Sequence, residues 1–291
     1  MAPRKLVAYG HSHLAAMMRA YKEREAEEPD PTIEAQFEWL GRKPLQPNFE
    51  LIGFGKLKSA RKEGEEIYRS MADRLRGPGA EAVSKGEKVR ALSEKLETFL
   101  RGSLAEQKPD AILLICMGNE YNSLGMLRHP RPFDFTLPGS DLPLIEGAEV
   151  IPHGMMKDHL RETVDNNALL FWRFFNDVAG DVPIYMVPPP PPIASEEHIL
   201  SFPGAFADRA GEYGISPVSL RRKLWLLYCE VLRDGIAGTG TTFVDLPPVV
   251  FTDGCLSRQF WQKDPTHGNL DYGLVVLDHV LDLAFEQPAE V

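Results

Sequence analysis

The chain has 291 residues, 43% of them hydrophobic, enough to bury a full core in one large domain. Its 42 acidic residues against 32 basic ones give a net charge of −10, which argues against a polyanion-binding surface, because nucleic-acid affinity comes mostly from neutralised phosphates. Three scattered cysteines, Cys116, Cys229 and Cys255, form neither a disulfide framework nor a metal-ligand pattern, and no apolar run approaches the roughly 20 residues that span a bilayer. With no apolar signal segment at the N-terminus, the expectation is a soluble, cytoplasmic protein without nucleic-acid or membrane partners.

Apolar runs of strand length alternate with amphipathic segments, which predicts a parallel sheet covered by helices on both faces. The first predicted strand is Leu6 to Tyr9, and Leu14 to Met18 starts a helix directly after it. An acidic, proline-containing stretch at about 23–47 reads as a surface insertion, followed by a second strand from Phe49 to Phe54. Gly86 to Leu104 carries helical apolar spacing through Val89, Leu92, Leu96, Phe99 and Leu100. The third strand, Ala111 to Met117, leads into a proline- and glycine-rich region at about 127–152, read as a second insertion. Loops after strands build the site of such a sheet, so this insertion is expected to wall the substrate. The aromatic run Phe171 to Phe175 fits a helix packed in the core. Ile184 to Val187 is the fourth strand, stiffened at its end by Pro188 to Pro192. A helix from Pro217 to Asp234, a strand from Thr242 to Leu246 and a helix from Leu270 to Phe285 complete one domain over 1–291.

Three motifs carry chemistry. Gly10-His11-Ser12-His13 places a serine at a strand-to-helix junction, where backbone N–H groups point outward. A serine hydroxyl needs a base to take its proton, and that base needs a carboxylate to fix its tautomer; Asp264-Pro265-Thr266-His267 offers both. At the end of the third strand, Met117-Gly118-Asn119-Glu120-Tyr121-Asn122 supplies an asparagine amide that can donate to the oxygen of a tetrahedral intermediate. Each motif has a plainer meaning as well: Ser12 as a helix cap, Asp264–His267 as a turn, Asn119 as a loop tie.

In order and spacing this set resembles the SGNH, or GDSL-type, hydrolase superfamily. The middle residue of Gly10-His11-Ser12 departs from the glycine-asp-serine pattern, and Met117-Gly118-Asn119-Glu120 keeps the asparagine of the Gly-x-Asn-Asp motif while changing its first and last residues. Asp264-x-x-His267 is intact, followed by Asn269 and Tyr272. The resemblance implies a three-layer α/β/α sandwich of flavodoxin-like type with a mostly parallel central sheet. It implies a catalytic trio of Ser12, Asp264 and His267, and an oxyanion hole from the N–H of Ser12, a glycine N–H after the second strand and the Asn119 amide. Gly55 is preferred over Gly53 for that glycine, since the chain should leave the strand there. His11, His13, Glu120 and Asn122 are expected to touch substrate. The activity so implied is hydrolysis of a carboxylic ester, with an O-acetyl or other short acyl group on a small molecule or glycan, through an acyl-serine and without metal or cofactor. Other outcomes are acyl transfer to a sugar or alcohol, a non-catalytic binding module on the same fold, and a metal-dependent hydrolase using His11 and His13, with Asp264 or His267 completing the shell and His153, Asp158 or His159 as extra ligands.

Overall fold

Leu6, Val7, Ala8 and Tyr9 are each fully buried, a run that a strand shows only when both faces of its sheet are covered. The computed structural model describes residues 2–53, 62 and 88–285. In chain order its main strands are β1 (Arg4–Gly10), β2 (Ile33–Trp39), β3 (Phe49–Gly53), β4 (Lys88–Leu92), β5 (Ala111–Ile115), β6 (Phe133–Phe135), β7 (Glu149–Ile151), β8 (Ile184–Met186) and β9 (Thr242–Phe243). Among the described residues, five of them form one parallel sheet in the order β2-β1-β5-β8-β9. The protein is therefore an α/β fold with helices on a parallel central sheet.

Helix Leu14–Glu27 packs on the C-terminal helix Leu270–Phe285, while Val218–Ile236 packs on Glu120–Gly125 and His153–Asp165. The sheet sits between such helical layers, and each fully buried Leu, Val or Ile contributes about 1.5–3 kcal/mol relative to exposure. Counted within the sheet alone, the strand order is 2-1-3-4-5. The direction of travel across the sheet reverses between β1 and β5, and a crevice opens where their carboxyl ends diverge. His11–His13 follow β1 and Cys116–Asn119 follow β5, so this topology brings both motifs to one edge.

Two predicted features come out differently. The stretch at 23–47 is not a surface insertion: it holds the end of helix Leu14–Glu27 and then β2, the edge strand paired with β1 from Arg4–Ile33 to Gly10–Trp39. Glu34, Gln36 and Glu38 alternate along β2 with Ile33, Ala35 and Phe37, which is the half-exposed pattern of an edge strand rather than of a loop. Conversely, β3 lies outside the central sheet and pairs antiparallel with β4. That pairing also shortens the helix predicted from Gly86. It starts at Glu94, capped by the Ser93 hydroxyl, which accepts from the Leu96 N–H at 3.4 Å.

The region 127–152 forms a parallel pair of short strands, β6 and β7. It is clamped by a buried ion pair, Lys223 Nζ to Asp134 Oδ1 at 2.6 Å, whose remaining hydrogen bonds are met by backbone groups of Phe135, Pro143 and Ile145. Pro188–Pro192 are buried, with the Pro189 and Pro190 carbonyls accepting from Trp225 and Tyr121. Phe171 and Phe175 are buried too, as expected of the aromatic helix Ala168–Val178. No helix among the described residues is long and apolar enough to cross a membrane.

Candidate active site

The crevice is built from three backbone segments. The first is the turn after β1. A Cβ at Gly10 would lie 2.5 Å from the Ile115 carbonyl oxygen, so only glycine lets the chain turn this close to β5. The His11 and Ser12 carbonyls then accept from the Leu14 and Ala15 N–H groups, opening helix Leu14–Glu27. Among the described residues, no backbone acceptor takes the Ser12 N–H.

The second segment is the loop before the last helix. Asp264 Oδ1 lies 2.6 Å from His267 Nδ1 and also accepts from the Thr266 N–H, the Thr266 hydroxyl and the His267 N–H at 2.8, 3.0 and 3.0 Å. Burial alone would raise the Asp264 pKa. The His267 hydrogen bond and charge, with the Thr266 donors, more than offset this and hold it at about 2. A carboxylate accepting at Nδ1 places the imidazole proton there and leaves Nε2 as the lone-pair nitrogen. His267 Nε2 is buried and has no partner among the described residues.

Ser12 and His267 line one cleft of about 290 Å³ with His13, Ala16, Arg19, Gln262, Lys263, Asp264 and Gly268. No hydrogen bond joins the Ser12 hydroxyl to His267 Nε2. The His13 ring lies against that of His267, centroids 4.4 Å apart and planes at 32°. Both His13 nitrogens are buried without a hydrogen-bond partner. Burial and the neighbouring His267 hold its pKa down at about 3, against smaller upward pulls from Asp264 and the Asn119 side chain. His13 is thus a neutral imidazole at ordinary pH, beside His267 and the Asn119 side chain.

The third segment is the turn after β5, where Met117 has φ +64° and Gly118 φ +99°. Left-handed backbone at a non-glycine residue is strained and persists only where neighbours fix it. The Met117 N–H donates to His11 Nδ1 at 3.2 Å and the Gly118 N–H to Glu120 Oε2 at 2.9 Å. A Cβ on Gly118 would meet Pro189 Cβ at 2.9 Å and His13 Cδ2 at 3.0 Å. Asn119 follows at the N-cap of Glu120–Gly125, its side chain uncommitted to the cap.

Asn119 also lines a second, larger cleft of about 510 Å³, with His11, Met117, Glu120, Ser123, Leu124, His159, Leu160, Thr163 and Asn167. Neither cleft is lined by residues 127–152. Helix His153–Asp165 contributes to the larger cleft and Gln262–Gly268 to the smaller.

The expected site residues thus fall into distinct groups. Ser12, His13, Asp264 and His267 share one cleft, with Asn119 next to His13. His11 and Glu120 line the larger cleft, each with one side-chain atom accepting from the turn after β5: His11 Nδ1 from the Met117 N–H and Glu120 Oε2 from the Gly118 N–H. Glu120 is almost fully buried, and burial pushes its pKa up against the pull of the Gly118 and Asn119 amides. Asn122 is 4% exposed and lines neither cleft. Of the two glycines, Gly53 ends β3 and Gly55 lies outside the described residues. His153 is bound to Glu230 and His159 faces the larger cleft, so neither joins His13 and His267 on the smaller one. Sequence reasoning missed Asn48, which binds His11 Nε2 at 3.1 Å, and nothing in its local pattern marks it. It also missed Thr266, whose place two residues after an aspartate is the signature of an Asx turn.

No protein-family model matches the chain, and no relative is found among curated proteins. Solved structures include two similar ones. One is the periplasmic domain of a lipopolysaccharide acetyltransferase from Salmonella ser. Paratyphi A, at 9% identity and TM-score 0.43 over 98% of this chain and 85% of that one. The other is a lipase/acylhydrolase from Enterococcus faecalis, at 13% identity and TM-score 0.37 over 99% of this chain and all 100% of that one. Likeness this loose leaves the chemistry to be argued from the residues of the present chain.

Proposed function

We propose that this protein is a serine hydrolase that cleaves a carboxylic ester, carrying a short acyl group such as acetyl, from a small-molecule or glycan alcohol. The observation that carries the reading is the state of His267. One ring nitrogen is held at 2.6 Å by Asp264 and the other is bare, on the lining of the cleft that also holds Ser12. An imidazole oriented in this way is a base waiting for a proton.

In the proposed mechanism His267 Nε2 takes the Ser12 hydroxyl proton as Oγ bonds to the ester carbonyl carbon. The carbonyl π pair moves onto oxygen, where the Ser12 N–H and the Asn119 amide stabilise it. Collapse breaks the bond to the alcohol, which leaves with the proton from His267. Water, deprotonated by the same nitrogen, attacks the acyl-serine, and the acid departs as the proton returns to Ser12. Asp264, held ionised by its low pKa, faces the imidazolium in both halves.

The test is covalent labelling. A fluorophosphonate should modify Ser12, as located by mass spectrometry of the digested protein, and the modification should vanish in Ser12→Ala. A protein that hydrolyses esters yet carries no label at Ser12 would end the proposal.

A further inference from the structure

We propose that His11 is a positioning residue whose Nδ1 lone pair, by accepting the Met117 N–H, holds the left-handed turn that aims Asn119 at the oxyanion. The proposal rests on the reading of Asn119 as an oxyanion donor. His11 stands where it is hemmed on every side. Nδ1 receives the Met117 amide at 3.2 Å, and Nε2 donates to Asn48 Oδ1 at 3.1 Å. Asn48 is itself fixed, donating through Nδ2 to the Leu40 and Leu45 carbonyls and accepting from Gln46. Phe171 meets the ring edge-on at 5.0 Å.

Those contacts give a defined tautomer, proton on Nε2 and lone pair on Nδ1, at the point where the Met117 N–H needs an acceptor. Without it, the Met117 N–H is an unpaired donor beside a non-glycine residue at φ +64°. That strain is then free to relax by rotating the peptide that carries Asn119. A shift of about 1 Å in a group facing the reacting centre is enough to cost on the order of 10²-fold in rate.

Two isosteric substitutions separate the two nitrogens. The Asn side chain puts its oxygen near the place of imidazole Nδ1, so His11→Asn keeps the acceptor for Met117 and gives up the Asn48 contact. The Gln side chain reaches the place of Nε2, so His11→Gln keeps the Asn48 contact and gives up the acceptor. With a simple acetyl ester, His11→Gln should lower kcat by about 10–100-fold with KM little changed, and His11→Asn by no more than about 3-fold. In an Asn119→Ala background His11→Gln should add nothing further, because it acts through Asn119. Equal losses in the two variants, a change confined to KM, or full additivity with Asn119→Ala would each overturn the proposal.

If His11→Gln does not fold, nitrogen chemical shifts of histidine-labelled wild-type protein decide the point. A proton on Nε2 is the expected result, and a proton on Nδ1 overturns it. A protein whose ester hydrolysis survives Ser12→Ala would instead refute the hydrolase reading, and the tautomer result would stand apart from it.

Discussion

The turn after β1 and the loop before the last helix meet at one edge of the sheet and both present histidines, yet they use them in opposite ways. His11 has both ring nitrogens committed, to Met117 and Asn48. His267 has one committed, to Asp264, and one bare. Every hydrogen bond that fixes a ring also spends a nitrogen, so a fully spent imidazole can hold backbone but cannot move a proton. A half-spent one is oriented and still basic. On this contrast we propose scaffolding for the first histidine and chemistry for the last.

The largest effect should come from the carboxylate that makes His267 half-spent. Asp264→Asn should lower kcat by about 10⁴-fold, because an amide can turn its N–H toward Nδ1 and favour the wrong tautomer. Steady-state kinetics with an acetyl ester check this, and a loss below tenfold would dissolve the contrast. The same residue has a folded pKa of about 2 against the ordinary 3.8. Its contribution to stability is therefore present above about pH 3.8 and is lost as pH falls through about 2, a dependence that Asp264→Asn should remove.

Next in size is the third segment. Asn119→Ala should lower kcat by about 10²–10³-fold, the range for one oxyanion donor. A rise in KM at constant kcat would make Asn119 a ground-state contact instead.

His13 sharpens the comparison from the other side, since both of its nitrogens are unspent. Its pKa of about 3 in the folded protein lies far below the ordinary 6.5, so between these values the unfolded chain binds a proton that the folded one refuses. Stability should fall as pH drops from about 6.5 toward 3, by about 2–3 kcal/mol at pH 4.5 relative to pH 7. His13→Phe should remove most of that loss. Urea midpoints at the two pH values measure it, and an unchanged acid loss in the variant would mean that another group is responsible.

Much of the sheet was legible in the sequence because buried parallel strands leave continuous apolar runs: Leu6 to Tyr9 and the start of the Ala111 to Met117 run became β1 and β5. The edge strand β2 was not, since half of its residues face water and its acidic members read as loop. The antiparallel pairing of β3 with β4 was hidden for a different reason. Periodicity gives the existence of a strand, while its partner is decided by tertiary packing. In the site, Ser12, Asp264 and His267 were singled out in the sequence because the proposed roles need those residue types in recognisable turns. The duties of His11 and Glu120 were not, because holding an N–H group of a left-handed turn leaves no mark on local sequence.

The smallest expected effect is none. A strong chelator should leave ester hydrolysis unchanged, and added zinc should not raise it. Cation binding needs nitrogen lone pairs that converge on one point. His11 Nδ1 is taken by the Met117 amide, Nε2 carries the proton given to Asn48, and His267 Nδ1 belongs to Asp264. The unspent nitrogens are those of His13 and His267 Nε2, whose rings stack with centroids 4.4 Å apart and planes tilted by 32°. A metal would have to break the stack or the Asp264 bond, and the second would remove the base that Ser12 requires. Activity lost on chelation and restored by zinc would show that His267 serves a cation, and the contrast between the two histidines would have to be rebuilt around a metal-bound water.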